Sequence, residues 1–448
     1  MPDIVESSVP VGVSAPRLEL ANCLWEVTSP QTILAVSSFG ARERLQRLLE
    51  RYRPLLASLR LRESLEAVVS SQSPSARFML IHSPLEFLLE LLDEESQRKR
   101  GDHDYLEERV KLLCLAPCLA SGVPFTMTLR KRFLLKPVPI HHTNVILDLR
   151  KFFRDEVVVT PSNGAVRFAE ESTLHDFAWD ESLGRLRFST GHAPFLPLNP
   201  ADYVLYSSKN IRDSEEFLIE DSPTYELQYQ GEVFEEIAEI VETAEAFIQA
   251  YQPSLLKELR FFVRAFAMDI SWEGKGTVVY CSTWWQPGLV QMTLDLLGKR
   301  EGMKIEKRGD PLLAMLVAAQ IIHEGLHEKH FYVNSCEDTN AIDHHRRGFI
   351  RPEWSGVQMT CTWGENRCLH DFFNTAVAVG SEIRFLEHLL RTQRLRSEEQ
   401  DFFKRRVKRK RSYLLPLLVQ AELSRHYFSP EGEIVLGELF RSFGYQTT

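Results

Sequence analysis

PLLAMLVAAQIIHEGLH, residues 311–327, is the stretch on which the reading of this chain turns. Its first twelve residues are almost wholly apolar, without the polar face of a surface helix, so they predict a helix buried on all sides. Asp310 before Pro311 marks its start, an acidic N-cap followed by a residue whose missing N–H the first turn leaves unbonded anyway. That helix carries His323, Glu324 and His327. Positions i and i+4 lie about one turn apart on one face, so both imidazoles can aim a ring nitrogen at one ion. Glu324 projects beside them, placed to handle a proton or a hydrogen bond. The bland alternative is two hydrogen-bonded core histidines and a solvated glutamate. A metal explains more, because it satisfies together polar groups that would each cost several kcal/mol if buried unpaired.

The third ligand is sought outward from this helix. Metzincins continue with glycine and then histidine, where this chain has His330 and Val333, so that pattern is excluded. A thermolysin-like zinc peptidase needs a helical glutamate further on; Glu353 follows a proline in a loop-like stretch, and the nearest glutamate within a predicted helix is Glu382. The helix predicted over 367–390 offers His370 near its start, one turn from Arg367 on the same face. Three histidines, or two and a carboxylate, leave coordination sites open and suit Zn²⁺ with an activated water, or Fe²⁺ with a bidentate oxoacid and O₂.

At 448 residues the chain exceeds the roughly 250–300 at which single cores stop growing. The reading is α+β, with a mostly helical C-terminal half and the metal site on the buried His-Glu helix packed against a second helix. Residues 1–16 form a polar tail and 17–225 a mixed region with helical stretches (41–53) and β-rich runs (144–149, 156–160). Residues 226–448 form a mainly helical metal-binding domain. Ser83, Pro84 and Glu86 spell a helix start with a capping box. Further helices are predicted over 233–250, 254–268, 397–411 and 414–425, and a β-like segment over 277–282.

Apolar residues make up 44% and charged residues 26%, as in an ordinary globular protein, and the net charge of −9 argues against a nucleic-acid surface. No secretory signal opens the chain, and no apolar run reaches the length of a bilayer span. Seven scattered cysteines do not resemble a disulfide framework, which fits a reducing cytoplasm.

The stretch 276–390 resembles the HExxH-type peptide β-hydroxylases of ribosomal peptide natural-product pathways. The likeness rests on the β-like segment from Gly276 to Tyr280 and on the helix bearing His323, Glu324 and His327. Thr362 and Trp363 follow, then Arg367, Cys368, Leu369 and His370, then an apolar helix with Ala376, Val377 and Val379. The resemblance implies Fe(II) held by His323, His327 and His370, and 2-oxoglutarate whose distal carboxylate pairs with Arg367. It also implies a ribosomally synthesised precursor peptide as partner, hydroxylated at Cβ, with residues 17–225 shaping the docking channel. A zinc metallopeptidase and a non-catalytic, metal-stabilised peptide-binding protein are the alternatives.

Residues 404–411 hold seven basic side chains in eight, which read as a solvated helix face or a site for an acidic peptide or nucleic acid. His141, His142, His344 and His345 read as exposed loop histidines. Cys114, Cys118, Cys361 and Cys368 lack zinc-site spacing and receive no role.

Overall fold

The structure, a computed structural model, describes residues 23–24, 26–98, 103–134, 137–162, 164–169, 173–189, 194–197, 204–208, 225–227, 232–269, 280–282, 287–293, 310–337, 358–360 and 366–442. It is an α+β protein whose C-terminal half is mostly helical. Among the described residues the first half opens with helices α1 (Pro30–Arg51), α2 (Arg53–Ser58), α3 (Arg62–Ser70), α4 (Pro74–Ile81), α5 (Leu85–Arg98) and α6 (His103–Ser121). The helix expected over 41–53 begins eleven residues earlier, because Ser29 caps the Thr32 amide at 3.2 Å and Pro30 takes the first position. Ser83 accepts from the Leu85 amide at 3.3 Å, but Glu86 does not complete the capping box; it turns to Arg44 Nη2 at 2.5 Å.

The strands that follow are short: β1 (Met127–Arg130), β2 (Val138–Pro139), β3 (Val145–Leu147), β4 (Glu156–Ser162), β5 (Ala165–Phe168), β6 (Leu174–Asp180), β7 (Arg185–Phe188) and β8 (Phe195–Pro197). They form an antiparallel sheet in the order β1-β4-β5-β6-β7 and a smaller one, β2-β3-β8. Strands β9 (Val204–Ser208) and β10 (Tyr225–Leu227) belong to a third sheet with β11 (Ala265–Asp269), β12 (Tyr280–Ser282) and β13 (Leu289–Thr293), ordered β10-β9-β11-β13-β12. Between β10 and β11 run helices α7 (Glu232–Tyr251) and α8 (Pro253–Phe262). The helix expected to reach Met268 thus stops at Phe262. Its continuation is claimed by a ladder: the Arg264 and Ala265 amides donate to Gly288 O at 2.7 and 3.0 Å, and Phe266 pairs with Val290 in parallel. Of the β-like 277–282 segment, Tyr280–Ser282 is strand and the rest lies outside the described residues.

Helix α9 (Pro311–Glu337) is the centre of the C-terminal half. Asp310 caps it as expected, Oδ1 accepting from the Leu312 amide at 2.9 Å. Every residue from Leu312 to Leu326 is buried, because α1, α7, α8 and α10 (Leu369–Thr392) pack around it. Helices from both sides of residue 225 therefore contribute to one continuous apolar core. Close approach of α1 depends on Gly40, where a Cβ would meet Cys336 O at 1.5 Å.

The chain ends in a two-stranded ladder, β14 (Gln358–Thr360) with β15 (Asn366–Cys368), then α10, α11 (Ser397–Leu423) and α12 (Pro430–Ser442). The two helices expected over 397–425 are one, with Pro416 inside it. No helix among the described residues is long and apolar enough to cross a membrane. Cys23, Cys114, Cys118 and Cys336 are buried free thiols.

Candidate metal centre

Helix α9 presents His323, Glu324 and His327 with one ligand atom each inside a 4.8 Å span, a grouping that could hold a metal ion. His323 and Glu324 are buried and His327 half-buried. The Nε2 of His323 lies 3.9 Å from Glu324 Oε1.

Helix α10 runs antiparallel to α9 and fixes both rings. Glu382 Oε2 lies 3.0 Å from Nδ1 of His323, and Asn374 Oδ1 lies 2.7 Å from Nδ1 of His327. A carboxylate and an amide oxygen only accept, so each Nδ1 carries the hydrogen and donates it. Each Nε2 then bears the lone pair, the tautomer a metal-binding histidine needs. Successive sites one turn up α9 meet partners two turns down α10, which is why a single pair of helices can orient two ligands.

Glu382 is 0% exposed and heavily partnered. Its Oε1 accepts from Arg406 Nη2 at 3.1 Å and from Gln320 Nε2 at 3.3 Å, while Oε2 takes Lys410 Nζ at 2.5 Å besides His323. Burial works to raise its pKa, but the Lys410 ammonium, the His323 hydrogen bond and the Arg406 guanidinium outweigh it and hold the carboxyl well below the ordinary range. Arg406 and Lys410 belong to the basic run 404–411. The expectation of a wholly solvated face is therefore corrected at these two residues, 1% and 3% exposed, while residues 404, 405, 408 and 411 are exposed. Helical periodicity turns every third or fourth member of the run inward.

Arg367 does not share a helix face with His370, contrary to expectation. It lies in β15, in register with Met359, and the helix begins only at Leu369. The β14 ladder holds the backbone extended there. His370 is the second residue of α10, four residues before Asn374 and so one turn nearer the start of the helix. Residues 270–279, 338–357 and 361–365, which carry the β-like Gly276 segment, His344, His345 and Trp363, lie outside the described residues.

A buried histidine cluster escaped the sequence. His142, expected to be exposed, is 3% exposed with φ of 59°, and its Nε2 donates to His82 O at 2.6 Å. His82 stacks on Phe78 with centroids 5.1 Å apart. Glu328, on α9 but on the face away from Glu382, accepts from the Gly288 amide at 2.6 Å and lies 3.7 Å from His82 Nε2. No local signal marks these residues, since the contacts join α4, a loop and α9. A second grouping of metal-type ligands, His103, Asp104 and Glu107, is tied up by Arg130, which reaches Asp104 at 2.8 Å and Glu107 at 2.6 Å.

No protein-family model matches the chain, and no curated protein matches it.

Proposed function

We propose that this protein is a cytoplasmic, iron- and 2-oxoglutarate-dependent oxygenase that hydroxylates Cβ of a residue in a ribosomally made peptide. The observation that carries the reading is the occupied state of Glu382. It is the helical carboxylate a zinc peptidase would require as third ligand, and its two oxygens already receive four donors. Redirecting it to a metal would strip two buried cations of their partner, a change costing about 3–5 kcal/mol.

Two neutral imidazoles, each a donor at Nδ1, suit ferrous iron, with His370 as third ligand and open positions for an oxoacid. Arg367, two residues before the first residue of α10, is the partner for the oxoacid's distal carboxylate, which a guanidinium binds bidentately. Glu324 holds or releases a proton beside His323. Iron and 2-oxoglutarate, when bound, supply the O₂-dependent oxidation in which the substrate C–H becomes C–OH while the oxoacid leaves as succinate and CO₂. Residues 17–225 are the part of the chain assigned to guiding a peptide toward α9.

Anaerobic addition of Fe²⁺ and 2-oxoglutarate should give a weak visible charge-transfer band, and O₂ should then release succinate. Co-expression with a precursor peptide encoded beside this protein should add the mass of one oxygen atom. Peptide cleavage with Zn²⁺ and no succinate would instead make it a metallopeptidase.

A further inference from the structure

The run of basic residues on α11 has two buried members, and both end on one carboxylate. Arg406 Nη2 bonds Oε1 of Glu382 and Lys410 Nζ bonds Oε2, while Gln320, one turn before His323 on α9, takes a second position on Oε1. The remaining position on Oε2 receives His323 Nδ1. An ionised carboxylate offers about four lone-pair sites, and these four donors use them.

We propose that Glu382, pinned by Arg406 and Lys410, is a positioning residue of the metal centre: it fixes the tautomer and ring plane of His323, and the cation pair keeps it from becoming a ligand. This rests on the reading that His323 binds a metal. A buried salt cluster is weak evidence of stabilisation, because desolvating three charges offsets most of their attraction. What the cluster provides beyond stability is direction. With Oε1 held by both a guanidinium and an amide, rotating the carboxylate would break two hydrogen bonds, which keeps Oε2 on Nδ1. The helix that supplies the cations does not supply the histidines, which makes α11 a brace behind the site. Because Glu382 is saturated, the metal keeps its open positions for exogenous ligands.

Co²⁺ titrated into the metal-free full-length chain tests this, read by its visible d–d spectrum and by calorimetry. The wild type should bind one Co²⁺, and His323→Ala should abolish it; a wild type that binds none removes the metal reading itself and this inference with it. Glu382→Gln should weaken Co²⁺ binding about 10–100-fold. In the triple variant Glu382→Gln/Arg406→Met/Lys410→Met no buried charge is left unpaired, so it should melt near the wild type yet bind Co²⁺ as weakly as Glu382→Gln. Glu382→Asp keeps the buried negative charge, which the long Arg406 and Lys410 side chains can follow, but withdraws the carboxylate from the ring of His323 by one methylene; it should fold, lose affinity and shift the d–d bands, and it decides the matter if the triple variant does not fold. Wild-type Co²⁺ affinity and spectrum in either folded variant would overturn the proposal, leaving the cluster a purely structural one.

Discussion

His327 donates from Nδ1 to Asn374 Oδ1 at 2.7 Å, across the interface between α9 and α10. Asn374 is 4% exposed, so its oxygen is largely shielded from water, and the bond leaves Nε2 as the ring nitrogen that bears the lone pair. Asn374→Leu should leave Nδ1 without an acceptor, costing about 1–3 kcal/mol of stability. The same change should lower divalent-metal affinity about 10–100-fold. Asn374→Asp keeps an acceptor in place and should retain binding. Thermal melts with metal titrations on both variants check this, and equal metal affinity in Asn374→Leu and wild type would refute it.

His370 and Glu382 stand on one helix twelve residues apart, about 18 Å at 1.5 Å per residue, so they cannot both ligate one ion. His370→Ala is expected to abolish iron loading or 2-oxoglutarate turnover. Glu382→Gln should still load one equivalent at saturating iron, with weakened affinity. Metal analysis on variants shown to be folded by circular dichroism separates them, and a swap of the two outcomes would favour the peptidase.

On the far face of α9, Lys329 pairs with Glu258 of α8, and both are at most 2% exposed. Lys329 Nζ also donates to Glu26 O at 2.9 Å, and Glu258 Oε2 accepts from the Thr28 amide at 2.9 Å, so the pair anchors the segment before α1. Lys329→Met strands a buried carboxylate and should cost about 3–5 kcal/mol. Adding Glu258→Gln should recover much of that loss, since the amide oxygen still serves Thr28. Urea unfolding of the single and double variants gives the answer; a single variant within about 0.5 kcal/mol of wild type, the range of an ordinary surface change, would contradict it.

The buried histidines make stability depend on mild acid. Burial, the Arg264 guanidinium and His141 push His82 well below its ordinary value of 6.5, and burial with His141 and Arg264 does the same to His142. Glu328, the carboxyl facing His82, is itself pushed up by burial and so is not an anion that would draw the proton back onto His82. Below pH 6.5 the unfolded chain takes up protons that the folded chain refuses. These two histidines should therefore withdraw stability as pH drops from 7.5 to 5.5, by up to about 1.4 kcal/mol each, while Glu328, protonated in the fold and ionised in the unfolded chain, works in the opposite direction. His142→Asn suits the positive φ and should remove about half of these two histidines' share of that dependence. Urea unfolding of both proteins at pH 7.5 and 5.5 checks this, and a His142→Asn variant whose midpoint changes with pH just as the wild type's does would sink the prediction.

The sequence by itself determined the features built from neighbours within a turn or two. The Asp310 cap, the buried run leading to His323, the shared face of His323 and His327, and the Ser83 start all depend on local hydrogen bonds and a 3.6-residue period. Tertiary structure decided the rest. Arg367 is extended because β14 pairs with it, and the helix beginning at Pro253 stops at Phe262 because the Gly288 carbonyl takes the next amides. The supports of the candidate site lie 47 and 59 residues from the histidines they orient, and no periodicity links them. Arg406 and Lys410 carry the same charge as their solvated neighbours, so composition cannot tell them apart. Only the packing of α11 against α10 turns these two inward, where a buried carboxylate makes their charge indispensable.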